Sequence, residues 1–214
     1  MRPLEVRRLG LVDYRAALAE QATLVTERQA GRIHDLLLFV EHPPVVTLGV
    51  RRGGRAHIVA SPAALQSAGV EVFETGRGGD VTYHGPGQIV GYPILDLKPD
   101  RCDVHRYVRD LEEVLIRAVQ DFGIDAGRLA GLTGVWVQGQ KLAVIGVRLS
   151  RWVTSHGFAM NLTTDLHAFE LIVPCGISDR GVTSLQRLGC TAGRVEVEDA
   201  ISRHFLDVFG RAPK

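Results

Sequence analysis

The stretch from Thr133 to Leu162, TGVWVQGQKLAVIGVRLSRWVTSHGFAMNL, does most to limit what this chain can fold into. It holds two apolar, β-branched runs joined near Gly139 and a third that continues from Trp152. Breaks this short give strands hairpin-like neighbours and rule out a strict parallel βαβ repeat, which needs a long crossover between strands. Two further short strands, DLLLFVEH and VVTLGV, are parted by Pro43-Pro44, and VEVFETG reads as another. Helical spacing marks residues 11–30, stopped by Gly31, and most clearly DVHRYVRDLEEVLIRAVQDFG, with Asp103 as cap and Gly123 as stop. SPAALQSAG is a short helix capped by Ser61, DLHAFELI a short helical piece, and RVEVEDAISRHFLDVFG a closing helix. The expected fold is mixed α/β of the α+β type. No linker, repeat or low-complexity tract interrupts the pattern, so a single domain over residues 1–214 is expected.

Composition narrows the function classes. The net charge of +1 carries no basic excess for general nucleic-acid binding. No apolar run reaches membrane-spanning length and the N-terminus lacks a signal-peptide core, so the expectation is a cytoplasmic protein without a membrane partner. Cys102, Cys175 and Cys190 are too scattered for a disulfide framework, and the eight histidines are dispersed, so no metal is expected. Lysine plus arginine total 25, yet lysine occurs only at 98, 141 and 214. Lys141 alone lies within a patterned segment, which suits a task arginine cannot perform, such as sharing a proton.

Three stretches can carry chemistry. In LIVPCGISDRGVTSL, Cys175 stands on a Pro-Cys-Gly corner, although structural cysteines usually sit in apolar elements. A loop keeps the sulfur reachable and Gly176 permits close approach; a nearby ammonium or histidine would favour the thiolate. A small buried hydrophobe remains the plain alternative. In RGGDVTYHGPGQ, Arg77 precedes Gly78 and Gly79, and Thr82, Tyr83 and His84 follow at strand spacing. It fits neither a P-loop nor a Rossmann fingerprint, and as a bare glycine cluster it also reads as a bulged hairpin. In SHGFAMNL, Gly157 and Ala159 flank Phe158 and fit an apolar slot as well as core packing. The Glu41-His42 pair before the prolines reads as a corner with an incidental histidine.

Taken together, EHPPVVTLG, RGGDVTYHGPGQIVGYPILDL, GVWV with KLAVIGVRL, SHGFAMNL and PCGI with GVTSL closely resemble the lipoyl(octanoyl) transferases, from Glu41 to Leu185 and in family order. The resemblance implies the mixed sheet with packed helices of the biotin/lipoate protein ligase catalytic domain. It implies transfer of an octanoyl group from acyl carrier protein, on its phosphopantetheine arm, to a lysine of lipoyl domains. Acceptors would be the 2-oxoacid dehydrogenases and the glycine cleavage H protein. It makes Cys175 the nucleophile and Lys141 the residue that lowers its pKa. Substrate-binding positions fall on Arg77, Gly78, Gly79, Asp80, Val81, Thr82, Tyr83 and His84, on Val144, Ile145 and Gly146, and on Gly157, Phe158 and Ala159. Asp80 carries the least weight. No cofactor is implied.

The chemistry expected on this footing is ping-pong transfer through a thioester at Cys175, with no need for ATP because thioester to amide is downhill. Three rivals remain: an ATP-dependent lipoate or octanoate ligase on the same fold, a cysteine hydrolase using His84 or His156 as base, and a carrier-binding module without catalysis. Arg51, Arg52, Arg148 and Arg151 are candidates for a basic patch facing an acidic donor.

Overall fold

A computed structural model describes residues 1–99, 101–173 and 180–214. Its frame is an eight-stranded sheet in the order β11-β1-β2-β6-β10-β9-β8-β7. These strands are β1 (Arg2–Leu11), β2 (Asp35–Glu41), β6 (Gln88–Ile94), β7 (Gly127–Leu129), β8 (Leu132–Val137), β9 (Gln140–Ser150), β10 (Val153–Asn161) and β11 (Arg211–Pro213). β1 runs parallel to both β11 and β2, and the remaining pairs are antiparallel. The β8–β9–β10 meander is the one its short breaks require. A second sheet of three strands, β4-β3-β5, consists of β3 (Val45–Leu48), β4 (Glu71–Glu74) and β5 (Val81–His84).

The large sheet is covered on both faces, and the sequence of β2 shows why. DLLLFVE is a continuous apolar run rather than an alternating one, as a strand buried on two sides must be. Leu37 and Phe39 enter a core with α3 (Val104–Gln120) and α4 (Arg194–Phe209). Leu36, Leu38 and Val40 face the other way, against Ala17 and Leu24 of α1 (Tyr14–Gln29). Helix α3 buries Tyr107, Leu111, Val114, Leu115, Ala118 and Val119 at three- and four-residue spacing, and Asp103 caps it by accepting from the Arg106 N–H at 3.0 Å. The small sheet has its own core, in which Val46, Leu48, Val81 and Tyr83 meet Phe169, Ile172 and Leu65 of α2 (Pro62–Ser67).

The helices and the central strands match their expected places. β1, β7 and β11 have no counterpart in the sequence reading. Two of them are three residues long. β1 keeps its inward-outward alternation only from Leu4 to Arg7, before Arg8, Leu9 and Gly10 break it at a bulge. The chain therefore closes on a strand, not on α4.

One buried carboxylate steers the strands toward the site. Glu112 of α3 has no exposed side chain, yet it accepts from Arg109 Nη1 at 2.6 Å, Arg128 Nε at 3.0 Å and the Gly134 N–H at 2.9 Å. These donors satisfy a charge that would otherwise be costly to bury. Gly134 sits at φ +124°, where a side chain is strained, and a Cβ there would stand 2.6 Å from the Ala143 carbonyl oxygen. The β8–β9 register shifts just afterwards, between Val135 and Trp136.

Candidate active site

The two sheets meet at a narrow cavity of about 50 Å³. The turn residues 76–80 between β4 and β5 form one rim, and Arg77 pins it. Arg77 is buried and donates from Nη2 to the Thr47 carbonyl at 2.7 Å and its Oγ1 at 2.8 Å, and from Nη1 to the Gly78 carbonyl at 3.1 Å. The Gly78 N–H donates to the Val147 carbonyl at 2.8 Å, which fastens the turn to β9. The approach is too close for a side chain. A Cβ on Gly146 would stand 2.9 Å from the Gly78 carbonyl oxygen, and Gly79 itself lies at φ +91°. Asp80 accepts the Val81 N–H at 2.7 Å, and its other oxygen lies 2.8 Å from His57 Nδ1.

Most of the residues proposed from the sequence converge here. Arg77, Gly79, Asp80, Val81, Thr82 and His84 line the cavity from the small-sheet side, and Val144, Ile145, Gly146, Gly157, Phe158 and Ala159 from β9 and β10. Gly157 is as tightly placed as Gly146, since a Cβ would stand 2.2 Å from the Gly91 carbonyl oxygen. Tyr83 does not line it. Its ring turns into the small sheet's core, 5.5 Å from that of Phe169. Strand alternation sends Thr82 and His84 to the cavity face instead. Gly78 and Lys141 line an adjoining groove of about 740 Å³. Cys175 lies in residues 174–179, outside the described residues. The chain before them is fixed by the Val173 N–H donating to the His57 carbonyl at 2.7 Å. The chain after them lies along β9, with the Lys141 N–H donating to Gly181 and the Thr183 N–H to Lys141, both at 3.0 Å.

Sequence reasoning missed Tyr14, Val90 and Tyr92, which also line the cavity. It also underrated His42. That side chain is fully buried at the corner after β2, with Nδ1 2.7 Å from the Val12 carbonyl and Nε2 2.8 Å from the Tyr92 hydroxyl. Nδ1–H therefore donates to the carbonyl and Nε2 accepts from the tyrosine. His84 and His156 complete a cluster of three buried imidazoles around Tyr14 and Tyr92. Burial, reinforced by His42, pulls His84 down to about 3, and burial with the charges of Arg77 and Arg148 pulls His156 down to about 4. Burial also lowers His42. Imidazoles held this far below neutrality are weak bases, which counts against the hydrolase rival. His84 Nδ1 donates to Gln88 Oε1 at 2.7 Å, Gln88 Nε2 to Asn161 Oδ1 at 2.9 Å, and Asn161 Nδ2 to the Thr183 carbonyl at 3.0 Å. A buried polar chain thus joins the cavity wall to the segment beside Lys141.

Lys141 is 5% exposed, and its Nζ lies 4.6 Å from the centroid of Trp136, its register partner across β8 and β9. Trp136 was invisible as a functional residue, because in TGVWV it reads as one more inward-facing strand position. The four arginines suggested as a basic patch separate. Arg51 lines the 740 Å³ groove, whereas Arg148 lines a different cavity against α1, and Arg151 pairs with Gln29. No group of three His, Cys, Asp or Glu side chains able to hold a metal ion occurs among the described residues, and no helix there is long and apolar enough to cross a membrane.

Known proteins sharpen this picture. A family model described as the lipoyl protein ligase A/B catalytic domain matches residues 13–206. An octanoyltransferase from Solibacter usitatus is 52% identical over 209 residues, covering 98% of this chain and 94% of its own length. Among solved structures, a lipoate-protein ligase A bound with ATP aligns with a TM-score of 0.78 at 17% identity, over 100% of this chain and 88% of that one. A bipartite lipoate protein ligase from Thermoplasma acidophilum, studied with its E2 lipoyl domain, aligns at 0.74 and 17% identity, over 99% and 86%. Likeness at that identity speaks for the fold, which is the mixed sheet with packed helices expected from the sequence. The chain belongs to the lipoyl protein ligase A/B catalytic-domain family, within its octanoyltransferases, and is an acyltransferase.

Proposed function

We propose that the chain moves an octanoyl group from acyl carrier protein to a lysine of lipoyl domains, through a thioester on Cys175. The observation that carries this reading is that a narrow, largely apolar cavity shares Val144, Ile145 and Gly146 with a wide groove that Lys141 also lines. In this reading the acyl chain enters by the first and the bulky remainder of a donor occupies the second. Each buried methylene contributes about 0.8 kcal/mol, so a closed apolar end reads chain length.

The steps balance without ATP, metal or other cofactor. The Lys141 ammonium favours the Cys175 thiolate by charge. The thiolate forms a carbon–sulfur bond to the acyl carbon, the donor's carbon–sulfur bond breaks, and the departing thiolate takes a proton from Lys141. The acceptor amine then attacks the acyl-enzyme, an amide forms, the Cys175 thiolate leaves, and the surplus proton returns to Lys141. The acceptors are the lipoyl domains of 2-oxoacid dehydrogenases and the glycine cleavage H protein. The setting is the cytoplasm, and one catalytic domain over residues 1–214 suffices.

Intact-protein mass spectrometry tests this with octanoyl-carrier protein, no ATP, and the wild type beside Cys175→Ala. One octanoyl adduct on the wild type, absent from the variant and passed on to an added lipoyl domain, is the expected result. Acceptor modification only with free octanoate and ATP would assign the chain to the ligases, the second reading that an ATP-bound neighbour of the same fold keeps open.

Trp136 has a definite part in this scheme. Its ring lies against the Lys141 ammonium in a site nearly closed to water, where a cation–π contact reaches about 2 kcal/mol. Trp136→Leu is expected to lower kcat about tenfold or more while donor KM changes little, and Trp136→Phe, which keeps a ring, to recover most of it. Steady-state kinetics on both variants decide; equal losses would reduce Trp136 to packing.

A further inference from the structure

The cavity and the groove share Gly79, Asp80, Val144, Ile145 and Gly146, so they form one continuous cleft. The rest of the groove comes from separate elements: Arg51 after β3, Val104, His105, Val108 and Arg109 on the first turns of α3, and the β7–β8 turn. Its charge is unbalanced. Among the described residues lining it, Arg51, Arg109 and Lys141 face a single carboxylate, Asp80, which already lies 2.8 Å from His57 Nδ1. Arg109 is matched by buried Glu112, but Arg51 makes no ion pair among the described residues, and Arg52 follows it. Arg51 is also well placed by its backbone. Its N–H donates to the Gly79 carbonyl at 3.1 Å and the Val50 N–H to the Arg77 carbonyl at 3.0 Å, so its stretch is tied to the glycine turn that walls the cavity.

We propose that the groove is the berth of the donor's prosthetic arm, and that its phosphodiester is held by Arg51, with Arg109 of α3 as a second cation and the His105 side chain lining the groove beside it. The assignment rests on the thioester-transfer reading. If the acyl carbon reacts beside Lys141 with its chain in the cavity, everything beyond the sulfur must lie in the groove. A pantothenate-type arm is uncharged along its amides and anionic only at its phosphate, and a guanidinium fork is the side chain that suits a phosphate best. The acceptor has no phosphate and presents a lysine, itself a cation, which a net-positive groove does not favour.

The test uses the full chain, wild type and Arg51→Glu, with three octanoyl donors: the carrier protein, free phosphopantetheine and unphosphorylated pantetheine. Rates of adduct formation are followed by intact mass against donor concentration, with thermal melts showing that the variant folds. Arg51→Glu should raise KM about tenfold or more for both phosphorylated donors and less than about twofold for pantetheine. Equal losses with all three donors, or none with the phosphorylated two, would overturn the assignment. A loss confined to the carrier protein would move Arg51 to a protein-docking surface and overturn it too. So would inhibition by ATP that disappears in Arg51→Glu, since the berth would then be a nucleotide's. Should the wild type accept octanoyl from none of the donors, the transfer reading itself falls and takes the groove assignment with it.

Discussion

Lys141→Arg is expected to fold, keep its positive charge and lose about a thousandfold in octanoyl transfer. The reason lies in what the lysine must do twice. In the proposed mechanism it gives a proton to the departing donor thiolate and receives one from the acceptor amine, and a guanidinium does neither at any working pH. General acid–base catalysis of this kind contributes about 10²- to 10⁴-fold. Space adds to the effect. The side chain is almost wholly buried, with Trp136 on one side and its Cε 3.7 Å from where a Cβ on Gly134 would stand. Lys141→Met separates charge from proton transfer, because it also removes the cation that favours the thiolate, and it should fail even at the first adduct. Single-turnover mass spectrometry of both half-reactions reads this directly. A Lys141→Arg enzyme within tenfold of wild type would leave Lys141 with an electrostatic task alone.

Folding stability should fall steeply on the acid side of neutrality, before most carboxylates begin to titrate. His84, His156 and His42 are all held below the usual histidine range, the first two at about 3 and about 4. Above about pH 6.5 these histidines are neutral in both the folded and the unfolded chain and contribute no pH dependence. Below it, the unfolded chain binds protons that the native site refuses, so stability is lost as pH falls toward those folded values. Between pH 6.5 and 5 the loss is about 2 kcal/mol for each of His84 and His156, a large share of a typical domain's stability. Urea titrations across that range check it, with His84→Gln expected to flatten the slope. A stability unchanged from pH 7.5 to 5 would mean that water or a rearrangement relieves the buried imidazoles.

The part of the site that glycines define was legible in the sequence. Gly146 and Gly157 stand where backbone meets backbone too closely for a Cβ, Gly79 sits at φ +91°, and such positions leave a mark in composition that a reader can find. Tyr14 and Tyr92 leave no such mark. They reach the cavity because α1 crosses β6 and β10, a fact of packing rather than of local pattern. His42 looked incidental because two prolines explain a corner by themselves. Of the fold, α3 was plain because its apolar residues keep strict helical spacing, whereas β1 loses its alternation after four residues and owes its place to its partners on either side. Trp136 and Lys141 are five residues apart, and only the bulged β8–β9 register puts ring against ammonium.

The three-stranded sheet has a hydrophobic cluster of its own, distinct from the two that pack the large sheet. It is also continuous with the large sheet through the Gly85–Gly87 turn that joins β5 to β6. Such a unit can open by a subglobal transition at a free energy below that of complete unfolding. One wall of the narrow cavity thus rests on the small sheet's own cluster, and the opposite wall on β9 and β10 of the large sheet. In the proposed reaction, such an opening of the small sheet would widen the path for a long acyl chain without disturbing the pairing of β8, β9 and β10.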